Sequence, residues 1–371
     1  MTSQDIHIVA DGKIPFLQGI LEPYARVSYY DPSEITNAVV RDADILIVRT
    51  RTRVDKRLLA GSRCRFVGTA TIGYDHIDTR YCEENGIRWA NAPGCNALSV
   101  GQYVLASILL WSRAKNYNVS DMTIGIIGVG HVGSVVERYC RALGMKILLN
   151  DPPRAAVEGN DKFVSLEEIA AKSDIVTFHT PLTMQGEYAT CHLGSAHFFD
   201  SLRRSPLVIN TSRGAVVDNY ALLRALNTER VGDAVMDVWE GEPRLNTALM
   251  LASFIATPHI AGYSSDGKSN ATRMIVEAVG RELGVEVDTS ELVPPTPPVS
   301  TLSLARNSDP IATAVLSSYN PLFETRNLKR QPHDFEKLRN SYGIRREFHA
   351  YTVTGVKDNT VTVLRELGFK L

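Results

Sequence analysis

The sequence has no apolar run long enough to cross a membrane. The most apolar segments of its 371 residues, such as 104–111, fall far short of the roughly 18 residues that a spanning helix needs. Its first residues, MTSQDIHIVADG, are acidic where a signal peptide is basic and then apolar. We therefore expect a soluble, cytoplasmic protein without a signal peptide.

Cysteine is sparse, and no CxxC pair occurs. An odd number of scattered cysteines argues against a disulfide framework and against a structural zinc site, so we expect reduced, packing thiols and no metal. The five cysteines are Cys64, Cys82, Cys95, Cys140 and Cys191. Cys95 follows Pro93-Gly94 in a loop-like stretch and has no base beside it in sequence, so a nucleophilic role is not expected.

An excess of positive charge is also missing. Forty basic and 41 acidic residues give a formal net charge of −1, which argues against a surface that coats nucleic acid. The apolar fraction of 44% and charged fraction of 22% are ordinary for a globular protein. This length is enough for two or three domains.

Short apolar segments alternate with helix-like ones through the first 257 residues. Strands alternating with helices predict parallel sheets covered on both faces, that is, an α/β fold. The predicted helices cover about 96–115, the stretch after 131, and 277–283. The predicted strands are 6–10, 45–48, 65–69, 123–127, 146–150, 175–179, 207–210, 234–238 and 254–256.

A glycine-rich fingerprint follows the strand at 123–127. It reads Gly128-Val129-Gly130-His131-Val132-Gly133, and an amphipathic helical pattern comes directly after it. In a dinucleotide-binding turn the first glycine permits the tight turn, the second lets the backbone approach the pyrophosphate, and the third lets helix and strand pack closely. The helix N-terminus offers free N–H groups to the phosphates.

An acidic residue, Asp151, ends the next strand, close to the spacing that the fingerprint requires. Its carboxylate would accept hydrogen bonds from ribose hydroxyls and repel a 2′-phosphate, which favours NAD over NADP. Arg154 is the counter-argument, since it could neutralise such a phosphate. The alternative interpretation is a glycine-rich turn followed by a surface aspartate.

Three polar residues, each after a predicted strand, suggest catalysis. They are Arg213, Glu242 and His259. His259 is suited to take a proton from an alcohol, Glu242 to bind the other imidazole nitrogen, and Arg213 to bind a carboxylate. Each residue alone has a structural interpretation: a satisfied histidine, a turn-bracing arginine, an exposed glutamate. Their order behind a nucleotide fingerprint favours oxidation of a 2-hydroxy acid.

These motifs resemble the D-isomer-specific 2-hydroxyacid dehydrogenase family. A narrower resemblance, to one branch of this family, rests on segments 66–71, 92–97, 151–155, 178–182, 259–263, 335–339 and 345–347. The resemblance implies catalytic roles for Arg213, Glu242 and His259, and substrate contacts at Thr50, Thr71 and Tyr263. It implies cofactor contacts at Gly128, Gly130, His131, Val132, Gly133, Asp151, Thr180, Thr211, Ser212, Arg213, Asp237 and Gly262. Thr50 replaces an expected serine, and Thr211-Ser212 replaces a more usual small residue followed by cysteine.

The same resemblance implies three domains and a homodimer. A discontinuous, flavodoxin-like substrate domain would cover 1–98 and 258–283, and a Rossmann-type NAD-binding domain 99–257. A proline-rich linker, 284–298, would lead to an α+β dimerisation domain at 299–371, with strands near 349–353 and 360–363. That last domain has 11 basic and seven acidic residues. We hypothesise that Arg345 or Arg346 reaches the partner's cleft to hold a phosphate.

The implied reaction is NAD-dependent oxidation of 4-phospho-D-erythronate to 2-oxo-3-hydroxy-4-phosphobutanoate, in pyridoxal 5′-phosphate (vitamin B6) biosynthesis. One alternative is a related enzyme acting on another D-2-hydroxy acid, such as 3-phosphoglycerate or glycerate. A second alternative is a non-enzymatic, NAD-sensing binding protein on the same scaffold, which could keep all three catalytic residues. Neither nucleic acid nor a membrane is expected as a partner.

The acidic residue after the fingerprint generates the first prediction. In binding titrations NADH should bind much more tightly than NADPH, because Asp151 repels a 2′-phosphate. Equal affinities for the two nucleotides would remove Asp151 from this role.

Overall fold

The computed structural model of the chain describes residues 6–159 and 161–371, which divide into two compact units. The first unit comprises the described residues of Met1–Asn96 together with Ser264–Pro295. The second unit comprises Ala97–Tyr263 and Thr296–Leu371, so the C-terminal residues belong to the same unit as the glycine-rich fingerprint. The domain limits given above remain predictions.

The first unit is built on a parallel sheet of five strands in the order β2-β1-β3-β4-β5. This is the strand order of flavodoxin-like folds, as expected for the substrate domain. Its strands are β1 (His7–Asp11), β2 (Arg26–Tyr30), β3 (Ile45–Val48), β4 (Phe66–Thr69) and β5 (Arg88–Ala90). Strands β2 and β5 were not predicted from the sequence; they are the two edge strands and are only partly buried.

The second unit contains a parallel sheet of six strands in the order β11-β10-β9-β8-β6-β7. A parallel bridge between Leu149 and Phe163 stands where the next strand of a Rossmann sheet would lie beyond β7. The strands are β6 (Thr123–Ile127), β7 (Lys146–Asn150), β8 (Ile175–Phe178), β9 (Leu207–Asn210), β10 (Asp233–Met236) and β11 (Ile255–Ala256). A small parallel pair follows, β12 (Thr301–Ser303) with β13 (Thr352–Thr354).

Helices connect most successive strands of the two large sheets, whereas β1 and β2 are joined by turns alone. Most of the short helices begin at a Ser, Asp or Asn whose side chain accepts a hydrogen bond from a free N–H, for example Asp218 before α9. The helices are α1 (Asn37–Val40), α2 (Lys56–Leu59), α3 (Thr79–Glu84), α4 (Ala97–Lys115), α5 (His131–Ala142), α6 (Pro152–Glu158), α7 (Leu166–Lys172), α8 (Ala196–Ser201), α9 (Asn219–Asn227), α10 (Thr247–Ala252), α11 (Ser265–Leu283), α12 (Pro310–Ser318), α13 (Leu322–Arg330), α14 (Phe335–Asn340) and α15 (Asp358–Leu367).

The described strands and helices confirm the expected α/β architecture. Strands β3, β6 and β9 are buried along their whole length, which explains their continuous apolar sequences. The helix predicted at 277–283 is the end of the longer α11. None of the helices in the described residues is both long enough and apolar enough to cross a bilayer.

The C-terminal segment shares its core with the nucleotide-binding sheet. Helix α15 packs on α5, and buried Leu364, Leu367 and Phe369 belong to the same hydrophobic cluster as Ile124 of β6. The strand predicted at 360–363 is wrong, because these residues lie in α15. Their β-branched side chains favour a strand, but the helical spacing of the buried residues Thr360, Leu364 and Leu367 decides the structure.

The shared core predicts that the second unit unfolds as one body. Leu364→Ala should lower its free energy of unfolding by about 2–5 kcal/mol, because it leaves a cavity in that core. Urea unfolding followed by circular dichroism would measure the loss. Leu251→Ala is the matched control, because Leu251 is 55% exposed in the same unit. The unfolding curve could instead show two transitions, with Leu364→Ala lowering the urea midpoint of the first one only. The C-terminal segment would then be an independent domain.

Candidate active site

The glycine-rich loop joins β6 to the N-terminus of α5. Gly128 has φ of 87°, which favours glycine, and a Cβ on Gly133 would lie 2.1 Å from the Gly128 carbonyl oxygen. A Cβ placed on Gly130 would have no atom of a non-neighbouring residue within 4 Å. His131 and Val132 form the first turn of α5. The loop therefore offers close helix–strand packing at Gly133 and open space at Gly130, as a pyrophosphate site requires.

Asp151 follows β7 and lies beside the loop. Its Oδ2 accepts a hydrogen bond of 2.8 Å from Val129 N, and its Oδ1 accepts one of 3.1 Å from Arg154 N. The Arg154 guanidinium donates to Glu158, and together with Lys162 it lowers the pKa of Glu158 to about 2. The positive charge of Arg154 is thus paired with a carboxylate of its own helix, which favours the NAD interpretation over the NADP one.

Threonines and a histidine cluster at the ends of β8 and β9. His179 shares hydrogen bonds with Thr177 Oγ1 at 2.9 Å and with Thr211 Oγ1 at 3.3 Å. Loss of solvent lowers the pKa of His179 to about 3, so its ring is neutral. Thr180 Oγ1 is buried and has no hydrogen-bond partner among the described residues. Such an orphaned hydroxyl beside Gly128 is suited to a bound ligand.

Arg213 is presented by the loop that follows β9. Ser212 N and Oγ both donate to Asn210 Oδ1, which fixes the turn, and Arg213 Nη1 donates to Ser212 O at 2.9 Å. A Cβ on Gly214 would lie 2.1 Å from the carbonyl of Trp239. Only glycine at 214 therefore lets the Arg213 loop approach the loop after β10, which carries Glu242.

Glu242 and His259 form a hydrogen-bonded pair. The distance from Glu242 Oε2 to His259 Nδ1 is 2.8 Å, and Glu242 Oε1 accepts a bond of 2.7 Å from Trp239 N. Burial acts to raise the pKa of Glu242, but the hydrogen bond and charge of His259, the Trp239 N–H and the charge of Arg339 lower it overall. Glu242 is therefore a carboxylate that fixes the orientation of the imidazole.

Asp237 holds the loop that carries His259. Its Oδ1 accepts from Thr257 Oγ1 at 2.6 Å and from Ile260 N at 2.8 Å, and its Oδ2 accepts from Ala261 N at 2.9 Å. Burial raises the pKa of Asp237, while the charge of His259 and these hydrogen bonds oppose the rise. Both oxygens of this buried carboxylate accept hydrogen bonds from other residues of the chain. The contact between Asp237 and the cofactor that the sequence predicts stays a prediction.

The remaining candidates lie on two different units. Gly262 and Tyr263 follow His259 directly in the second unit, whereas Thr50 and Thr71 belong to the first. Thr50 and Thr71 come after the neighbouring strands β3 and β4. Thr50 is exposed, and the Thr71 hydroxyl donates to Gly73 O at 2.8 Å.

For Arg345, the hypothesis that it reaches a partner's cleft is wrong. Its side chain is buried, donates to Ser99 and to the Ala261 carbonyl, and lies 4.3 Å from the ring centroid of Tyr319. Its Nη2 donates within its own chain, whereas its buried Nε and Nη1 have no hydrogen-bond partner among the described residues. Arg346 is also largely buried, and for it the hypothesis stays untested.

Comparison with known proteins identifies the family. Residues 107–261 match the model "D-isomer specific 2-hydroxyacid dehydrogenase, NAD binding domain", and residues 293–368 match a domain of unknown function. Erythronate-4-phosphate dehydrogenase of Bacteroides thetaiotaomicron is 49% identical over 94% of this chain and 99% of its own length. The Bacteroides fragilis protein of the same name is 46% identical, with the same two coverages.

The chain belongs to the D-isomer specific 2-hydroxyacid dehydrogenases. Among solved structures, the D-lactate dehydrogenase of Aquifex aeolicus, complexed with NAD and lactic acid, is 25% identical with a TM-score of 0.62. The match covers 75% of this chain and 95% of that one. The family resemblance, the α/β fold and NAD as the cofactor are thereby confirmed.

The described residues fit the NAD of this dehydrogenase family. The glycine loop is open at Gly130, the Asp151 carboxylate lies against it, and the buried Thr180 hydroxyl lacks a partner. All three features lie in the second unit.

Sequence reasoning missed the residues that support this dehydrogenase site. Thr257 links Asp237 to the buried Tyr103, whose hydroxyl lies 2.7 Å from Thr257 Oγ1. Arg339, from the domain of unknown function, donates to Tyr263 OH at 2.8 Å. In the sequence, Arg339 was noted only as part of the matching segment 335–339. Its contact with Tyr263 could not be predicted, because the two residues are 76 positions apart.

The Asp237 contacts predict the cost of removing one acceptor. In Asp237→Asn an amide NH₂ would face either the Ala261 N–H or the Thr257 and Ile260 donors. The buried mismatch should lower the free energy of unfolding by about 1–3 kcal/mol and reduce kcat by displacing His259. Chemical denaturation and steady-state kinetics measure these effects.

The surface pair of Asp200 and Arg224 supplies the control for this variant. Asp200→Asn removes the same charge from an exposed pair and should cost less than about 1 kcal/mol. If the two substitutions had equal effects on stability, Asp237 would not hold the loop.

Proposed function

We propose that this protein oxidises 4-phospho-D-erythronate to 2-oxo-3-hydroxy-4-phosphobutanoate with NAD, a step of pyridoxal 5′-phosphate (vitamin B6) biosynthesis. The observation that carries the proposal is the hydrogen-bonded pair of Glu242 and His259 on the strand ends that follow an NAD-binding loop. The substrate is inferred from curated relatives named erythronate-4-phosphate dehydrogenase, which this chain matches almost from end to end.

His259 is the residue proposed to take the proton of the substrate's 2-hydroxyl. Its Nδ1 is bonded to the Glu242 carboxylate, so Nδ1 carries the hydrogen and Nε2 is left to accept the proton. When the hydroxyl proton arrives, the ring becomes an imidazolium, which the adjacent carboxylate stabilises. When bound, NAD would accept the hydride that leaves C2, the carbon that carries this hydroxyl. In the reverse direction His259 returns the proton.

Arg213 is proposed to bind the substrate carboxylate. A guanidinium offers two parallel N–H donors that match a carboxylate, and its charge favours electron density moving onto the adjacent carbonyl oxygen. Its loop is kept in place by the Ser212–Asn210 hydrogen bonds and by the close approach at Gly214. Thr50, Thr71 and Tyr263 are proposed as further substrate contacts.

The cofactor-binding residues named from the sequence are proposed to hold NAD. Asp151 would accept bonds from the adenosine ribose, and the N–H groups of the first turn of α5 would bind the pyrophosphate. Thr180, Thr211, Ser212 and Gly262 would line the nicotinamide end.

A homodimer in the cytoplasm completes the proposal. Three large apolar side chains of the C-terminal segment are exposed in a single chain, and covering them in a dimer interface would remove apolar surface from water. They are Val299, Phe323 and Ile344, exposed by 63%, 69% and 66%.

Turnover by the purified protein tests the proposed function. NADH should form when 4-phospho-D-erythronate and NAD are supplied. More 2-oxo-3-hydroxy-4-phosphobutanoate should form when a second 2-oxo acid is added, because that acid can reoxidise tightly held NADH. 3-Phosphoglycerate and D-glycerate are the comparison substrates. A higher kcat/KM for either of them would replace the proposed substrate.

His259→Gln separates an enzyme from an NAD-sensing binding protein. Loss of the proton acceptor should reduce kcat by about 10²–10⁴-fold, while NADH binding, followed by fluorescence, persists. A wild-type protein that binds NADH but turns over none of the three acids would favour the sensor.

A further inference from the structure

Arg339 connects the C-terminal domain of unknown function to the candidate active site. It lies in the last turn of α14, within the matched residues 293–368. Its Nε donates a hydrogen bond of 2.8 Å to Tyr263 OH, and its guanidinium carbon is 5.5 Å from the centroid of the Tyr263 ring. A single aromatic residue, four positions after His259, therefore holds this cation by a hydrogen bond and by its ring.

The charge of Arg339 acts on the catalytic pair. It is one of the causes that lower the pKa of Glu242, so the guanidinium is near enough to influence that carboxylate electrostatically. The hydrogen bond to Tyr263 and the lowering of the pKa of Glu242 are two separate observations. Both link Arg339 to the Glu242–His259 pair.

Most of the donors of Arg339 are unused by the protein. Among the residues that the structure describes, none accepts a hydrogen bond from Nη1 or Nη2, and no carboxylate lies within ion-pair distance. The side chain is half-buried. Arg154 and Arg224, in contrast, are paired with carboxylates, and Arg345 is buried against carbonyl and hydroxyl groups. Arg339 thus carries an uncompensated charge and four free N–H donors, as an anion site requires.

We propose that Arg339 binds the terminal phosphate of the substrate and is the residue that selects the phosphorylated acid. This inference rests on the proposed function, whose substrate carries a carboxylate at one end and a phosphate at the other. Arg213 serves the carboxylate beside the reacting carbon, which leaves the phosphate to a second cation. Tyr263 orients the Arg339 fork and supplies a hydroxyl beside it.

Arg339→Met tests the proposal, because methionine keeps the apolar stem and removes the donors. The KM for 4-phospho-D-erythronate should rise by about 10- to 100-fold, the loss expected for one charge-assisted hydrogen bond. The kcat/KM for D-erythronate, which lacks the phosphate, should fall by much less, because only the indirect effects of Arg339 through Tyr263 and Glu242 are lost. Inorganic phosphate should inhibit the wild type competitively and the variant at least tenfold more weakly.

Arg330→Met is the matched control. Arg330 is exposed in the last turn of α13, also in the C-terminal segment, and its removal should leave all three values unchanged. Arg339→Lys keeps the charge without the planar fork and should give an intermediate KM. It also serves as the test variant if circular dichroism shows that Arg339→Met is unfolded.

Two results would overturn the assignment. If kcat/KM fell in the same proportion for both acids, Arg339 would act through Tyr263 or Glu242 as a positioning residue. If inorganic phosphate inhibited wild type and variant equally, Arg339 would not be an anion ligand.

Failure of the proposed function would be seen separately, as a wild type that does not oxidise 4-phospho-D-erythronate. Calorimetry of inorganic phosphate binding to the NADH-loaded protein would then decide whether Arg339 is part of an anion site. Weaker binding to Arg339→Met would support the anion site, and equal binding would overturn it.

Discussion

The candidate site depends on the way the Asp237 carboxylate holds the loop from Thr257 to Ala261. The His259 backbone has φ of 59°, in the left-handed region that costs a non-glycine residue about 1–2 kcal/mol. His259 N donates to the Asp237 carbonyl, and the next two N–H groups donate to its side chain. These bonds offset the strain and turn the imidazole toward Glu242. The reactive geometry is therefore set by a buried carboxylate.

A second level of support comes from the loop after β10. Trp239 N fixes one oxygen of Glu242, and the other oxygen binds His259. Gly214 lets the Arg213 loop pack directly against Trp239. Three catalytic candidates that are far apart in sequence are thus carried by strands β9 to β11, which are neighbours in one parallel sheet. Short loops on adjacent rigid strands keep such groups in a constant arrangement.

The C-terminal segment is structurally part of the nucleotide-binding unit. Its helices complete the core around α4 and α5, and Arg345 binds the carbonyl of Ala261, two residues after His259. Arg339 contacts Tyr263 from the same segment. A domain of unknown function in this family therefore supports the segment from His259 to Tyr263 at two points. The site and the C-terminal core are coupled because they share these side chains.

Local patterns determined much of this protein. The apolar strands, the glycine fingerprint with Asp151 and the order of Arg213, Glu242 and His259 pointed to the α/β fold, to NAD and to 2-hydroxy-acid chemistry. Each strand, turn and polar loop is recognisable from a few neighbouring residues, and their order is read directly along the chain. Only the tertiary structure decided that Asp237 holds the catalytic loop, that 360–363 is helical, that Arg345 is buried and that Arg339 meets Tyr263. Those outcomes depend on contacts between residues distant in sequence, and burial in a shared core outweighs local propensity there.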